Sequence, residues 1–540
     1  MLIISIYMVI KTHWGAEQLS YLLSKYTHYD AKIDDISHSL KTPGIILFKD
    51  VSIHNKKNNF SLNVKQIRLE IFLQKIFSKL SFDRIILTEG KVNLPISFKA
   101  FPFITKRLKL ERINISYRGK NISNVATNMT GEITFHNSFE EGVFQFNSDR
   151  LELNNFNLTN LMVKGAYKKN FLSFNKFSAH VNNGIINANI VQYTDNSLTV
   201  EKLVLANTDW QFSMSFDEML NILKDIKNLK VEDMDLINTN FQGKEWSILG
   251  LSGKVNDINI IDGHWKNSFN KSELNIDKLI SHNQQISHLV ADITYSNDIL
   301  YFHRLFGYTH EGTFSLKVIS NIQHHSINIV DARLANIHYQ LPANWIEFIT
   351  LPVTNSITSL HVTNLKLINS SIIDINHNFP FEFTNINGDI SNMDFIKQKK
   401  WGLWKGKARF NANSGMINQI VLRHPYLEIS QQNNTNIISM FNARIKNALV
   451  RFTANIEQQM DKYLFALEGE GFNINLGILN QWGWKNLQID SVGSFNFILT
   501  GNLLANSIAE TLAGKLSYQP TTGKKETYSI VNGEIKLCCM

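Results

Sequence analysis

Residues 231–241, VEDMDLINTNF, return as VTNLKLINSSI at 362–372, an offset of 362 − 231 = 131. The match continues downstream, where LSGKVNDIN at 251–259 is echoed by INGDISNMD at 386–394, now 386 − 251 = 135 apart. The four extra residues belong in a loop. Trp265 and Trp401 prolong the correspondence, and an apolar segment of helical spacing precedes each copy. What repeats is therefore a helix followed by strands, and a long period of this kind indicates an array of like units. Within each copy apolar and polar residues alternate, the period of a strand with one buried face. The copies contain no reactive constellation, so their job is to extend a sheet.

At 540 residues the chain exceeds what one compact core needs, and 44% hydrophobic residues supply a buried interior. The net charge of +8 is spread in short pairs such as Lys56-Lys57, Lys168-Lys169 and Lys399-Lys400, with no run long enough for a nucleic-acid arm. Solvated loops are the plain reading of these pairs, attraction to an anionic membrane surface the other. The two cysteines, Cys538 and Cys539, are adjacent and can neither staple the fold nor hold a metal.

Leu2, Ile3, Ile4, Ile6, Met8, Val9 and Ile10 form an apolar run that stops at Lys11, short of the roughly 20 residues of a bilayer span. It reads either as a buried helix start or as the end of a membrane span. Helical spacing continues through Leu19, Leu22, Leu23 and Tyr26, so one helix is expected from the first residues to about Tyr26. Beyond Pro43-Gly44 the pattern becomes strands. Leu62 and Val64 alternate, the period resets at Lys65-Gln66, and Ile67 and Leu69 resume it. A short helical stripe at 73–80 and a strand through Ile85 and Leu87 follow. From 108 to 204 nearly everything reads as short strands in an antiparallel meander, with Asn183-Gly184 as a hairpin signal. Ser215-Phe-Asp-Glu218 has the form of a capping box opening a helix over 217–227, and Pro342 opens its counterpart over 343–351.

Catalysis finds no constellation. The 17 histidines are dispersed, and the adjacent pair His324-His325 would point to opposite faces of a strand. The run from Gly402 to Lys407 departs from a phosphate loop in spacing and in having Ala408 where a hydroxyl is needed. No cofactor is implied. What remains is the sheet. Its apolar face either packs as an ordinary sandwich or barrel core, the simpler outcome from periodicity alone, or stays open as a trough for something apolar such as lipid chains. Leu62, Val64, Ile67, Leu69, Ile85, Leu87, Met234, Leu236, Leu365 and Leu367 are the expected lining. A membrane barrel would need strands of about 9 to 11 residues, and many strands here read as shorter.

The N-terminal region resembles the AsmA-like proteins of Gram-negative envelopes, through the helix at 22–26, the polar strand at 31–33, PGIILFKDVSI at 43–53, the strand and helix of 62–80 and the Gly-marked strand of 85–94. The tail resembles the same family through GSFNFILTG at 493–501, LAGKL at 512–516 and VNGEI at 531–535. The resemblance implies a mainly β protein with short helices, an elongated, curled antiparallel sheet forming a repeating groove behind an N-terminal helix. It divides the chain into 1–28 (shortened anchor), 29–210 (N-terminal β region), 211–340 and 341–470 (the two helix-plus-strands repeats) and 471–540 (a C-terminal segment cut short). It further implies a non-enzymatic protein anchored in the inner membrane by its N-terminus, with its body in the periplasm. The expected role is passive movement of phospholipid between the two membranes, acyl chains lying in the groove. The alternative is a scaffold factor for outer-membrane proteins.

Overall fold

A strand with one buried face must alternate, and strands long enough to cross a broad sheet twist until alternation alone no longer holds one face toward the core. The computed structural model shows how this chain meets the conflict. It describes residues 12–538 except 40, 56–59, 72–80, 95–103, 119–122, 137, 154–155, 196, 217, 220–227, 263, 267–268, 282–283, 310, 344, 346–352, 354–356, 376–379, 434–435, 459–462, 483–490 and 504–508. The chain divides into two compact units, Met1–Asn270 with Ile280–His282, and Lys271–Leu279 with Asn283–Met540.

The first unit opens on the helix His13–Tyr26, with Thr12 as its N-cap. Ala16 is completely buried beneath it, and Leu19 and Leu23 pack on the sheet. Ser20 Oγ and Ser24 Oγ accept from the backbone N–H groups of Ile33 and Ala31 at 2.9 and 3.0 Å. The helix thus satisfies donors that the first strand would otherwise present at an open sheet edge. Strands Tyr29–Ser39, Thr42–Asn55, Ser61–Ile71 and Ser81–Leu94 follow as an antiparallel series. After Ile104–Arg118 the antiparallel meander runs through Ser123–His136, Ser138–Leu153, Phe156–Lys168, Phe171–Val181, Gly184–Tyr193 and Ser197–Ala206. Asn228–Gly243 and Trp246–Ile261 form the next hairpin.

Within these strands, and in one case just past a strand end, single residues adopt the left-handed conformation, and the alternation resets there. Asp50, Glu89, Arg112, Asn160, Asn207 and Asn238 all have φ between 48° and 55° or at 47°. Leu110 and Ile113 flank Arg112, and Leu236 and Thr239 flank Asn238; all four are buried although the members of each pair are three positions apart. A regular strand would send residues three apart to opposite faces; the bulge returns them to one. The same reset at Lys65-Gln66, between Val64 and Ile67, is visible in the sequence. Because a reset splits the alternating run, the strands are longer than they read: Asn228–Gly243 has 16 residues and Phe381–Lys397 has 17.

The antiparallel expectation holds for most pairings, but at three junctions among the described residues the chain steps in parallel, two of them extended by a short further strand, Asp209–Gln211 and His338–Gln340. Ser81–Leu94 lies parallel to Ile104–Arg118, Ser197–Ala206 to Asn228–Gly243, and Ser326–Ala335 to Ser359–Asp374. Each parallel step is followed by a hairpin with the same bulge. Leu110 opposes Gly131 and Ile113 opposes Met129; Leu236 opposes Gly253 and Thr239 opposes Leu251; Leu367 opposes Gly388 and Ser370 opposes Ile386. The left-handed N–H groups of Arg112, Asn238 and Asn369 donate to Thr130 Oγ1, Ser252 Oγ and Asn387 Oδ1 at 3.1, 2.9 and 3.0 Å. The repeat seen in the sequence therefore occurs three times, the first copy offset by 236 − 110 = 126 residues from the second. Val231 and Val362 are buried at equivalent positions, and Lys366, beside Leu367, is exposed, as alternation requires.

The second unit carries Gln284–Ser296, Ile299–Thr309, Gly312–Asn321 and Ser326–Ala335 into the third parallel step. Phe381–Lys397 then pairs with both Gly406–Asn411 and Ser414–Ile417, and an antiparallel series runs from Ile420–Asn433 to Glu534–Leu537. Two local expectations are corrected. His324-His325 lies in the turn between two strands, because the hairpin needs a left-handed residue there and His325 has φ 50°. The turn at Val181/Gly184 is made by Asn182 and Asn183; Gly184 is the first strand residue, since a Cβ there would meet Asn207 O at 2.3 Å. The capping box is formed, with Ser215 N donating to Glu218 Oε2 at 2.7 Å and Glu218 N to Ser215 Oγ at 3.3 Å. Most of 217–227, 343–351 and all of the stripe at 73–80 lie outside the described residues, as do the anchor residues Leu2, Ile3, Ile4, Ile6, Met8, Val9 and Ile10.

Asn238 sits at φ 47° with its Nδ2 on Asn207 Oδ1 at 3.0 Å. Asn238→Val should lower stability by about 1–2 kcal/mol, the cost of a non-Gly residue in the left-handed region, read as a lowered urea midpoint of the transition that includes this unit; Asn238→Gly should lose far less. Equal losses for the two variants would mean that the backbone conformation is not what the position demands.

Candidate functional site

The first unit brings Leu62, Val64, Ile67, Leu69, Ile85 and Leu87 into one apolar cluster with Ile33, Ile36, Val51, Leu108, Leu110 and Ile113. Register explains the grouping. Ile46, Leu69, Ile85 and Leu108 align across four strands, and so do Phe48, Ile67, Leu87 and Leu110; Val51, Val64, Gly90 and Ile113; and Ile53, Leu62, Val92 and Ile115. The left-handed residues Asp50, Glu89 and Arg112 lie between the second and third rows, and Ser61–Ile71 makes the same shift at Lys65-Gln66 without one, so all four rows stay on one face. Gly90 is the one gap, because a Cβ there would meet Asn63 O at 2.2 Å. Leu87 is 8% exposed, while Leu69 is half-buried.

The remaining expected residues do not join that cluster. Met234 is half-buried and Leu236 buried in the second copy. In the other unit Leu365 packs against Ile390, Met393 and Ala408, and Leu367 is half-buried. The face repeats locally rather than forming one pocket. Sequence reading missed Ile46, Phe48, Leu108, Leu110, Ile113 and Ile115, which complete the rows. The signal was present: Leu108 and Leu110, then Ile113 and Ile115, show the same reset as 62–69.

The opposite face at the bulges is charged. Lys65 Nζ reaches Glu89 Oε2 at 2.6 Å, Arg112 also bonds Glu89, and Lys49 Nζ meets Asp35 at 2.9 Å. Hydrogen bonds from Lys65, with the further charge of Arg112, hold the Glu89 carboxyl below the usual carboxylate range. A shallow cavity of about 580 Å³ lies over this row, between Asn63, Lys65, Glu89, Lys91 and Arg112. Among the described residues no three His, Cys, Asp or Glu side chains gather as a metal site. No helix among them is long and apolar enough to cross a membrane.

Over 99% of its length the chain is 23% identical to the AsmA family protein YicH of Escherichia coli strain K12, covering 95% of that protein. The chain is thus similar to an AsmA family protein along nearly its whole length. No protein-family model matches it. The AsmA-like similarity spans both units and all three parallel steps, so it describes the whole series and not its ends alone.

Because the folded-state pKa of Glu89 is depressed, the pair contributes stability above the unfolded carboxylate pKa that is lost as pH falls through the folded value. All three groups are on the surface, so the effect is small and screened by salt. Glu89→Gln should shift the thermal midpoint slightly at pH 7 and not at the acid end of the curve, with the difference shrinking in high salt.

Proposed function

We propose that this protein acts in membrane lipid handling in the cell envelope, its apolar sheet face holding phospholipid acyl chains and moving them passively between inner and outer membrane. The observation that carries the reading is the set of apolar rows kept on one face through every bulge. That face has only sparse cover among the described residues: the helix His13–Tyr26 in the first unit and short 3₁₀ turns at Leu476–Trp482 and Ala509–Thr511 in the second. A sheet this long with so little over it leaves half-buried apolar side chains along its rows, Leu69, Met234, Leu365 and Leu367 among them. Each methylene taken from water is worth about 0.8 kcal/mol, so a face covering most of an acyl chain makes extraction from a bilayer feasible. Headgroups stay at the wet edge. Membrane association through the N-terminus, a periplasmic body and the absence of enzymatic turnover complete the reading, supported by the likeness to an AsmA family protein.

Photo-crosslinking residues placed in vivo at Leu236 and Leu367 should give phospholipid adducts by mass spectrometry, whereas the exposed position Lys366 should give none. Adducts to outer-membrane proteins alone at the inward positions would favour the scaffold reading, and purified protein free of phospholipid would count against lipid handling altogether.

A further inference from the structure

In the first unit the sheet has a notch. The hairpin of Phe171–Val181 and Gly184–Tyr193 turns back at Asn182 and Asn183, but its neighbours run on. Leu158 is the partner of Val181, so Phe156 and Asn157 extend past the turn on one side. Ala206 is the partner of Ile185, so the short strand Asp209–Gln211 extends past it on the other, held from behind by Asn228–Gly243. Between these projecting ends is a cavity of about 540 Å³ with Asn182 at its floor.

The walls differ from the apolar face in chemistry. Trp210 and Phe156 meet across the notch with ring centroids 5.4 Å apart, tilted by 58°. Trp210 Nε1 is tied back to Thr208 Oγ1 at 3.0 Å, which fixes the indole plane. Asp209 Oδ1 accepts from Asn240 Nδ2 at 2.6 Å, and Asn240 Oδ1 is itself held by Gly250 N at 2.7 Å. Asn182 Nδ2 donates to the Asp209 carbonyl at 3.0 Å, and Asn157 Oδ1 accepts from Arg150 Nη2 at 3.2 Å. The polar groups are therefore braced partly by one another and partly by Gly250 and Arg150 outside the lining, and among the described residues the second carboxylate oxygen of Asp209 takes no bond. No lysine or arginine lines the cavity.

The second unit supplies an internal comparison. There the hairpin of Ile299–Thr309 and Gly312–Asn321 turns back in the same way, and His338–Gln340 runs on beside Ser359–Asp374. Gly184 and Gly312 are pressed on equivalent carbonyls, Asn207 O and Asn336 O, at 2.3 and 2.4 Å from an added Cβ. Yet His338 stands where Asp209 does, Ser371 where Asn240 does and, by register, Gln284 where Phe156 does. The fold demands the notch but not the carboxylate, the amide brace or the aromatic pair.

We propose that this notch is a binding site for a neutral sugar ring. A pyranose has an apolar C–H face that suits an indole ring and a rim of hydroxyls that both donate and accept, matching a carboxylate among side-chain amides. Alternation sends Trp210 to one side of its strand and Asp209 and Gln211 to the other, so an occupant of the gap reaches both. An acyl chain would leave the second Asp209 oxygen and the side-chain amides of Gln211 and Gln242 facing it without partners, and an anion would meet Asp209 with no lysine or arginine in the lining. The proposal is independent of the acyl-chain reading of the apolar face.

Saturation-transfer NMR on the full-length protein with a panel of methyl hexopyranosides tests it. At least one glycoside should show saturable transfer concentrated on its C–H protons. Trp210→Ala should weaken that binding by about tenfold, as loss of a ring contact does, and Asp209→Asn, which preserves shape, should weaken it while leaving the circular dichroism unchanged. Tyr339→Ala, in the comparison notch, should leave it intact. The same sugar displayed as a hexosyl lipid in vesicles separates the sources: binding to both forms identifies a glycolipid headgroup, binding to the free glycoside alone a soluble glycan. No saturable transfer from any glycoside, or transfer indifferent to both Trp210→Ala and Asp209→Asn, overturns the proposal.

Discussion

One constraint governs this structure: strands of up to 17 residues must keep a single apolar face although twist and period work against it. A left-handed residue partway along the strand resolves the conflict by inserting one residue out of phase. The conformation costs a non-glycine residue about 1–2 kcal/mol, so its residue types are chosen. Asn207, Asn238, Asn336 and Asn369 occupy it where two bulges lie side by side, and the side chains bond each other in pairs, Asn238 to Asn207 at 3.0 Å and Asn369 to Asn336 at 2.9 Å. In the first copy the same two places hold Glu89 and Arg112, an ion pair instead of an amide pair. The strain is offset by a bond between the strained residues themselves, and the bulges consequently fall in line from strand to strand.

Aligned bulges are also what allows the sheet to grow by repetition. A parallel step moves the chain to the next position without reversing it, and the hairpin that follows restores the antiparallel course. Because each of the three steps enters with the same register, Leu against Leu and then a skipped pair, the apolar rows of each new copy match those of the strand it follows. The hairpin partners then repeat as well, down to the glycine opposite the last apolar residue before the bulge. At Gly131 and Gly388 that glycine is needed for close approach, since a Cβ would come within 2.1 Å of Gln145 O in one case and 2.3 Å of the Phe410 ring in the other.

Much of this was legible in the sequence, and the limits have physical causes. The repeat at 231 and 362, the N-terminal helix, the capping box at Ser215 and the reset at Lys65-Gln66 were all readable, because each depends on neighbours in the chain. The earliest copy was not, because its bulge carries Glu111-Arg112 in place of Ile-Asn and no longer looks alike. Parallel steps were missed for a different reason: hydropathy reports which face a residue takes, not the direction of the strand beside it. The apolar residues at 62–87 could be grouped from the sequence because two adjacent strands supply them. The notch could not be, because Phe156, Asn182, Asp209 and Asn240 come from four separate stretches of chain and none belongs to a recognisable motif.

The distribution of chemistry bears on what kind of cargo each surface suits. The two cavities over the charged row and at the notch are lined largely by polar residues, whereas the apolar residues are spread in rows. A closed apolar pocket would bind a compact ligand at one depth and release it slowly. Rows of similar side chains offer an acyl chain nearly the same free energy after a shift of one methylene, since each group that leaves one contact finds an equivalent one. On the proposed lipid reading, movement along such a face would need no coupled energy source, only a difference in lipid activity at its ends. The bulges matter here once more: without them the rows would pass to the opposite face midway along every strand, and a chain following them would be turned out into water.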